Sequence, residues 1–397
     1  MNKLSSTNHT SDNLDFNRAY PSSTDLQKRA KKRIPRFAYD YLISGALAET
    51  ALKHNRHQIK QVAFTPKYLN SFHRSDTSAA LFGHTYAAPF GIAPIGLQGL
   101  MWPNAPQILA QAAVQHNIPY ILSTVSTDTL ENIAQTTQGK AWYQFYNPTD
   151  EQVRDDVLKR LRQSGYQTIV MTVDVPTFGF RYRDYKNGLT LPPKRSLKNM
   201  TDVLKCPSWL VKTLQYGIPK FKNLERYIND KTNSDLLTTF MHTMAMGGVA
   251  AENIKEIRDK WPGNLVIKGV MSKTDIDTAI ALGIDGVIVS NHGGRQLDAG
   301  DSPFDVLRML PADTHKKIMI MMDSGLRNGS DIAAALALGA RFTFLGRTFM
   351  YGVAALGDMG GQHTIAMLKT QLVQTMCQIR CKNIADLPAF LSPYTRQ

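Results

Sequence analysis

Short apolar runs and longer stretches of helical periodicity alternate along most of this chain. Runs of aliphatic, aromatic and β-branched residues fall at 90–94, 119–123, 141–145, 168–173, 265–268, 286–290, 318–322 and 342–345. Each is short and nearly continuous in its apolar character, as a strand covered on both faces would be. Between them, apolar residues recur at helical spacing near 106–116, 128–136, 150–163, 249–260, 273–282, 303–310 and 330–338, with a last helical region after Tyr351. Eight strands alternating with helices predict an α/β fold, and the simplest closure is a single parallel (β/α)8 TIM barrel. Ahead of it, 26–51 reads as an N-terminal helical segment with a break at Ile34-Pro35, since proline removes a backbone donor and restricts the residue before it. Residues 1–24 are polar, rich in Ser, Thr and Asn, and without an apolar signal core; they are expected to be a flexible lead-in to one domain spanning 25–397.

One connection breaks the rhythm. The stretch after the fourth strand is several times longer than its siblings and contains a basic and apolar insertion at 186–247. Between Lys186 and Lys231 stand ten Lys or Arg and three acids, so half of the chain's +14 charge sits there. Those charges are interleaved with Trp209, Leu210, Val211, Leu214, Tyr216, Phe221, Leu224 and Tyr227. Cations mixed with large apolar side chains suit an anionic membrane surface better than a duplex groove, so a membrane-binding and lid segment is expected and no nucleic acid. A plain solvated loop is the competing reading. No run is long enough to span a bilayer. Cys206, Cys377 and Cys381 make neither a disulfide framework nor a zinc site, which points to a reduced, cytoplasmic compartment and no metal.

Barrel active sites form where strands end, and polar residues gather there. Pro94, Ile95 and Gly96 follow the first strand, and Ser123 ends the second. Gln144 and Tyr146 close the third, while Thr172, Asp174 and then Arg181 follow the fourth. Lys268 ends the fifth, and Ser290 precedes His292 and Arg295 after the sixth. Asp323, Gly325 and Arg327 follow the seventh, and Gly346 and Arg347 the eighth. The last two loops combine glycines and arginines where barrels bind phosphate. No glycine-rich dinucleotide fingerprint opens a βαβ unit, so a mononucleotide is favoured over NAD. Taken alone, His292 and Arg295 on a glycine turn are ordinary loop residues, and Asp174 could as well pair with Arg181 or Arg183.

The run Ser290-Asn291-His292-Gly293-Gly294-Arg295-Gln296-Leu297-Asp298 resembles the signature of the FMN-dependent 2-hydroxy acid oxidases and dehydrogenases. Ile34-Pro35-Arg36-Phe37-Ala38-Tyr39-Asp40-Tyr41 and Val266-Ile267-Lys268-Gly269 resemble further segments of that family. The resemblance covers nearly the whole chain and implies FMN as cofactor. It casts His292 as the base that takes a proton from substrate and Asp174 as the carboxylate orienting it. Arg295 and Tyr41 become the clamp on the substrate carboxylate, Arg181 a second arginine, and Tyr146 a hydroxyl near the reacting oxygen. Lys268 would lie beside the flavin, where negative charge develops. Ser123, Gln144, Thr172, Ser290, Asp323, Gly325, Arg327, Gly346 and Arg347 would hold the cofactor, with Pro94, Ile95 and Gly96 along its ring.

Within the family, Pro94–Pro103 and Cys206–Pro219 look most like the membrane-associated (S)-mandelate and flavin-type L-lactate dehydrogenases. Gly96 stands where oxidases carry alanine, and Val125 where glycolate oxidase has a tryptophan. Asn104-Ala105-Pro106 departs from a common Gly-Glu pair, a local change that proline tolerates in a first helical turn. The resemblance implies oxidation of an (S)-2-hydroxy acid of the L-lactate or mandelate type to the 2-oxo acid. Electrons would pass to a membrane quinone, in a homotetramer held peripherally on the cytoplasmic face of the inner membrane. An oxidase giving hydrogen peroxide is the near alternative; a barrel lyase using Lys268 as a Schiff base is the distant one.

Overall fold

A computed structural model of the chain describes residues 16–69, 71–187, 197–227 and 248–393. Parts of the expected lead-in (1–15) and of the basic insertion (188–196 and 228–247) therefore lie outside the described residues. A small antiparallel hairpin comes first, β1 (Ala79–Leu81) and β2 (His84–Tyr86). Eight strands follow: β3 (Phe90–Ile92), β4 (Ile121–Ser123), β5 (Trp142–Phe145), β6 (Thr168–Thr172), β7 (Asn264–Val270), β8 (Gly286–Val289), β9 (Met319–Met322) and β10 (Phe342–Leu345). They form one parallel sheet in the order β3-β10-β9-β8-β7-β6-β5-β4. The cylinder closes where Ile92 bridges Tyr120, with the Ile92 N–H donating to the Pro119 carbonyl at 2.9 Å. This is the barrel that the alternation predicts.

The strands lack polar alternation because both their faces are covered. One apolar layer lies between strands and helices; a second fills the cylinder with Ile121, Trp142, Val170, Val266, Ile288, Met321, Phe342 and Phe344. Leu81 and Tyr86 of the hairpin join that inner layer, and the Phe82 ring lies 5.6 Å from Trp142. The hairpin thus plugs one end of the barrel. Its turn, Phe82-Gly83, has both residues at positive φ (47° and 78°), the geometry that matches strand twist in a two-residue hairpin.

The N-terminal segment forms α1 (Ser23–Arg33), α2 (Arg36–Ile43) and α3 (Thr50–Ile59), so helix continues past the expected limit at 51. Ser22 caps α1, its Oγ accepting from the Asp25 N–H, and Pro35 separates α1 from α2. In the stretch expected to be flexible, Phe16 and Asn17 touch the rest of the chain, while Arg18 and Ala19 are exposed. Phe16 meets His363 edge-on, and the Asn17 N–H donates to His363 Nδ1 at 3.2 Å.

Two α-helices of the insertion are described, Leu197–Leu204 and Pro207–Tyr216, with a 3-10 turn at Glu225–Tyr227. The buried Trp209 indole Nε1 donates to the Leu100 carbonyl at 3.1 Å, and its ring packs edge-on against Phe37. Further on, Phe221 and Leu224 are buried, and Asn223 Oδ1 accepts from the Leu130 N–H at 2.7 Å. Met200, Leu204, Val211, Leu214 and Ile218 are exposed. Among the described residues, no helix is long and apolar enough to cross a membrane.

Candidate active site

The strand ends converge on a cavity of about 1130 Å³, counting the solvent at its mouth. Its wall is built from Tyr41 of α2, Pro94, Ile95 and Gly96 after β3, Ser123 of β4, and Gln144 and Tyr146 at the end of β5. Thr172, Arg181, Lys268, His292 and Arg295 continue it, followed by Asp323, Gly325, Arg327, Gly346 and Arg347. Of the residues singled out from sequence, Asp174 and Ser290 stand behind this wall. Asp174 reaches His292, and the Ser290 Oγ lies 2.9 Å from Lys268 Nζ while accepting from the His292 N–H at 3.1 Å.

His292 sits in the left-handed backbone region at φ 57°, an uncommon conformation for a residue with a side chain. The two following glycines, also at positive φ, carry the chain round the turn. Its Nδ1 lies 2.9 Å from Asp174 Oδ1, so Nδ1–H is the donor by partner logic and Nε2 is left as the basic nitrogen. Of the other candidates for Asp174, Arg181 contacts Asp184 at 2.7 Å and Arg183 contacts Glu49 at 2.6 Å. The acid therefore belongs to the histidine. Burial alone would raise the Asp174 carboxyl, but the charges of His292 and Lys268 hold it below the ordinary range. Lys268 is likewise buried, which would lower it, yet Asp323 at 3.1 Å and Asp174 keep its ammonium more basic than usual. Burial pushes the Tyr146 hydroxyl up, so it stays protonated.

Asn291, Gln296 and Asp298, signature residues to which the resemblance assigns no role, join Asn55 in fastening the loop that carries His292. Asn291 and Asn55 exchange side-chain amide bonds at 2.8 and 2.9 Å. Asp298 accepts from the Ala48 and Ala51 N–H groups, both at 3.1 Å, and so caps α3, whose own N-cap Glu49 makes no side-chain capping bond. Gln296 Nε2 donates to the carbonyls of Asp174 and Thr177, and its Oε1 accepts from the Gly179 N–H. The backbones touch here: a Cβ at Gly179 would fall 2.1 Å from the Arg295 carbonyl oxygen. Met101, Val125, Val175 and Phe178 add an apolar side to the cavity.

The arginines show how much of the wall is cationic. Arg295 Nη1 donates to the Tyr41 and Ser44 carbonyls, each at 2.9 Å, and its guanidinium lies 4.9 Å from the Tyr41 ring centroid. Burial pulls its pKa down to about 10, with the nearby Arg181 cation acting in the same direction. Arg347 donates to the carbonyls of Leu42, Gly293 and Ser44, and burial lowers it to about 9. Arg327 donates to the Leu326 carbonyl at 2.8 Å. The two arginines expected at phosphate thus both line the cavity, with side-chain hydrogen bonds to backbone carbonyls.

A flat mononucleotide can be tested against this wall. Gln144 Nε2 and Thr172 Oγ1 are buried without hydrogen-bond partners, and buried polar groups rarely stay so. With the Lys268 ammonium they form a donor set matching the oxygens and ring nitrogens on one edge of an isoalloxazine. At Gly96 a Cβ would press within 2.7 Å of Val125 Cγ2, which leaves backbone alone to face a ring there. Gly325, Arg327, Gly346 and Arg347 line the same cavity and supply the cations and backbone that a phosphate needs. The residues fit FMN. Among the described residues no cluster of His, Cys, Asp and Glu could hold a metal ion.

The family model described as FMN-dependent dehydrogenase matches residues 30–392. The chain is 39% identical over 364 residues to the (S)-mandelate dehydrogenase of Pseudomonas putida, covering 91% of each. It is 33% identical to an L-lactate dehydrogenase of Xanthomonas axonopodis pv. citri, over 95% of this chain and 97% of that one. Among solved structures, the monotopic membrane protein (S)-mandelate dehydrogenase superimposes with a TM-score of 0.88 at 37% identity, covering 94% of this chain and 99% of that one. The chain belongs to the FMN-dependent dehydrogenase family.

Proposed function

We propose that this FMN-dependent 2-hydroxy acid dehydrogenase oxidises an (S)-2-hydroxy acid with an apolar substituent, of the lactate or mandelate type, and delivers the electrons to a membrane quinone. The observation that carries the chemistry is the His292–Asp174 pair at 2.9 Å, facing a cavity that also presents Arg295 and Arg181. The substrate loses two electrons and two protons as its C–OH becomes C=O. FMN, when bound, would accept the two electrons and one of the two protons. His292 Nε2 takes a proton, and the buried Asp174 carboxylate stabilises the imidazolium that results. Arg295, Arg181 and Tyr41 hold the substrate carboxylate, a guanidinium fork matching two oxygens at once. Tyr146, still protonated at neutral pH, serves as a donor to the reacting oxygen. The Lys268 ammonium offsets negative charge that builds on the reduced cofactor. Ser123, Gln144, Thr172 and Asp323 set the ring and chain, and Gly325, Arg327, Gly346 and Arg347 the phosphate. Ser290 acts from behind, holding Lys268 and the His292 backbone.

The apolar side made by Met101, Val125, Val175 and Phe178 favours a substituent that leaves water, and Val125 gives it room. The insertion supports the membrane half of the reading. Met200, Leu204, Val211, Leu214 and Ile218 are exposed among lysines 205, 212 and 220, while Trp209 ties the same helices to the barrel. The similarity to a protein described as monotopic supports peripheral docking; the cytoplasmic face of the inner membrane and a homotetramer complete the proposal.

Kinetics on a panel of L- and D-2-hydroxy acids with an artificial acceptor test the substrate. L-acids with aromatic or branched substituents should reduce the flavin fastest; equal rates with D-acids would sink the reading. Stopped-flow reoxidation tests the acceptor. Slow reaction with oxygen and fast reaction with a soluble quinone are expected, whereas rapid peroxide formation would make the protein an oxidase. Sedimentation with vesicles should show binding to anionic lipid and little to neutral lipid.

A further inference from the structure

Asp184 is a buried carboxylate that the chemistry above does not use. It lies in the short helix Tyr182–Lys186, just after Arg181, and is 8% exposed. Its Oδ2 is 2.7 Å from Arg181 Nε, a charge contact outside hydrogen-bond alignment. Its Oδ1 accepts from Ser44 Oγ at 3.1 Å. Ser44 connects it to the other cations: its Oγ lies 3.4 Å from Arg295 Nη1, and its carbonyl accepts from both Arg295 Nη1 and Arg347 Nη2 at 2.9 Å. The guanidiniums of Arg181 and Arg295 lie 5.7 and 4.9 Å from the centroid of one ring, Tyr41. Two like charges therefore converge on one tyrosine in a poorly solvated site. Among the described residues, neither Arg295 nor Arg347 has a carboxylate in ion-pair contact. Like charges so placed repel strongly unless an opposite charge lies close by.

We propose that Asp184 is a positioning residue, the buried counter-ion that holds the guanidiniums of Arg181 and Arg295 converged so that together they grip the substrate carboxylate. This rests on reading those two arginines as the clamp. Removing the carboxylate leaves the repulsion uncompensated, so that Arg181 swings away or a cation loses its proton. The groups facing Arg295 divide accordingly: Arg181 lowers its basicity, Tyr41, Tyr146 and Asp184 support it, and Arg347 is depressed by it in turn.

The test uses holoenzyme, with oxalate as a carboxylate probe read through the flavin spectrum. In Asp184→Asn the oxalate Kd and the substrate KM should rise by about tenfold to a hundredfold, with the limiting rate of flavin reduction much less affected. The alkaline limb of kcat/KM should move to lower pH, and Asp184→Glu, which keeps the charge, should return it towards wild type. An Asn variant that keeps FMN, binds oxalate as wild type does and has an unmoved limb would overturn the proposal. Arg295→Met separates the two levels. If it too leaves oxalate binding unchanged, the clamp reading fails; if it abolishes binding while Asp184→Asn does nothing, only the counter-ion role fails. Should Asp184→Asn fail to retain FMN, adding Arg181→Gln removes the unbalanced cation and should restore flavin content. A role in packing alone predicts no recovery from the double change.

Discussion

Two segments leave the mouth of the same barrel and are built on opposite plans. The loop after β8 turns its polar atoms inward: Asn291 is paired with Asn55, Gln296 with the loop after β6, and Asp298 with the start of α3. The insertion after β6 is held at Trp209 and around Asn223, and leaves Leu204, Val211, Leu214 and Ile218 outside. The first arrangement fixes His292 in a backbone conformation that it would not choose alone. The second leaves apolar area to be covered by something other than the barrel. One loop is organised around where an atom must be, the other around where the whole molecule must be.

The largest effect should come from removing the inward end of that contrast. His292→Ala should slow flavin reduction in stopped flow by about a hundredfold to ten-thousandfold, with FMN still bound. If reduction is undiminished, the loop has no catalytic base. Breaking the latch should cost less. Gln296→Ala removes its bonds to Asp174, Thr177 and Gly179 and should lower kcat by about tenfold, since small misplacements of a catalytic group are costly. Unchanged kcat would mean that the two loops hold each other without it.

The cationic wall gives a pH signature. Arg295 is lowered to about 10 by burial, so it is charged at neutral pH and loses its proton as pH rises through about 10. The clamp should therefore weaken on the alkaline side, seen as a falling kcat/KM there with little change in kcat once substrate is bound. A flat profile to pH 11 would mean that Arg295 keeps its proton throughout, whatever its part in the clamp. The smallest chemical effect should come from the outward segment. Leu214→Ser with Ile218→Ser should release the protein from anionic vesicles while flavin reduction stays within about twofold, as exposed substitutions usually do little to a distant site. Loss of both together would make the insertion part of the reaction site.

The alternation of apolar runs was enough to place all eight barrel strands, because strands covered on both faces leave a compact signal. The strand-end rule then brought His292, Lys268, Gln144 and the arginines to one cavity. What sequence order does not carry is the second layer of partners. Asn55 and Asn291 are separated by 236 residues, and Asp298 caps a helix 247 residues away. Asp184 looks like any acid in a charged helix until Ser44 and Arg181 are seen beside it. The β1–β2 hairpin was missed for another reason: strands of three residues are too short for a period to register.

That hairpin carries a separate consequence. Leu81, Phe82 and Tyr86 close the barrel end remote from the catalytic loops and touch none of the reacting groups. Variation there should act on how much folded protein a cell maintains, through unfolding and turnover, and leave the work of each surviving molecule as it was. The two ends of the cylinder are thus exposed to different kinds of selection, one on abundance and one on rate.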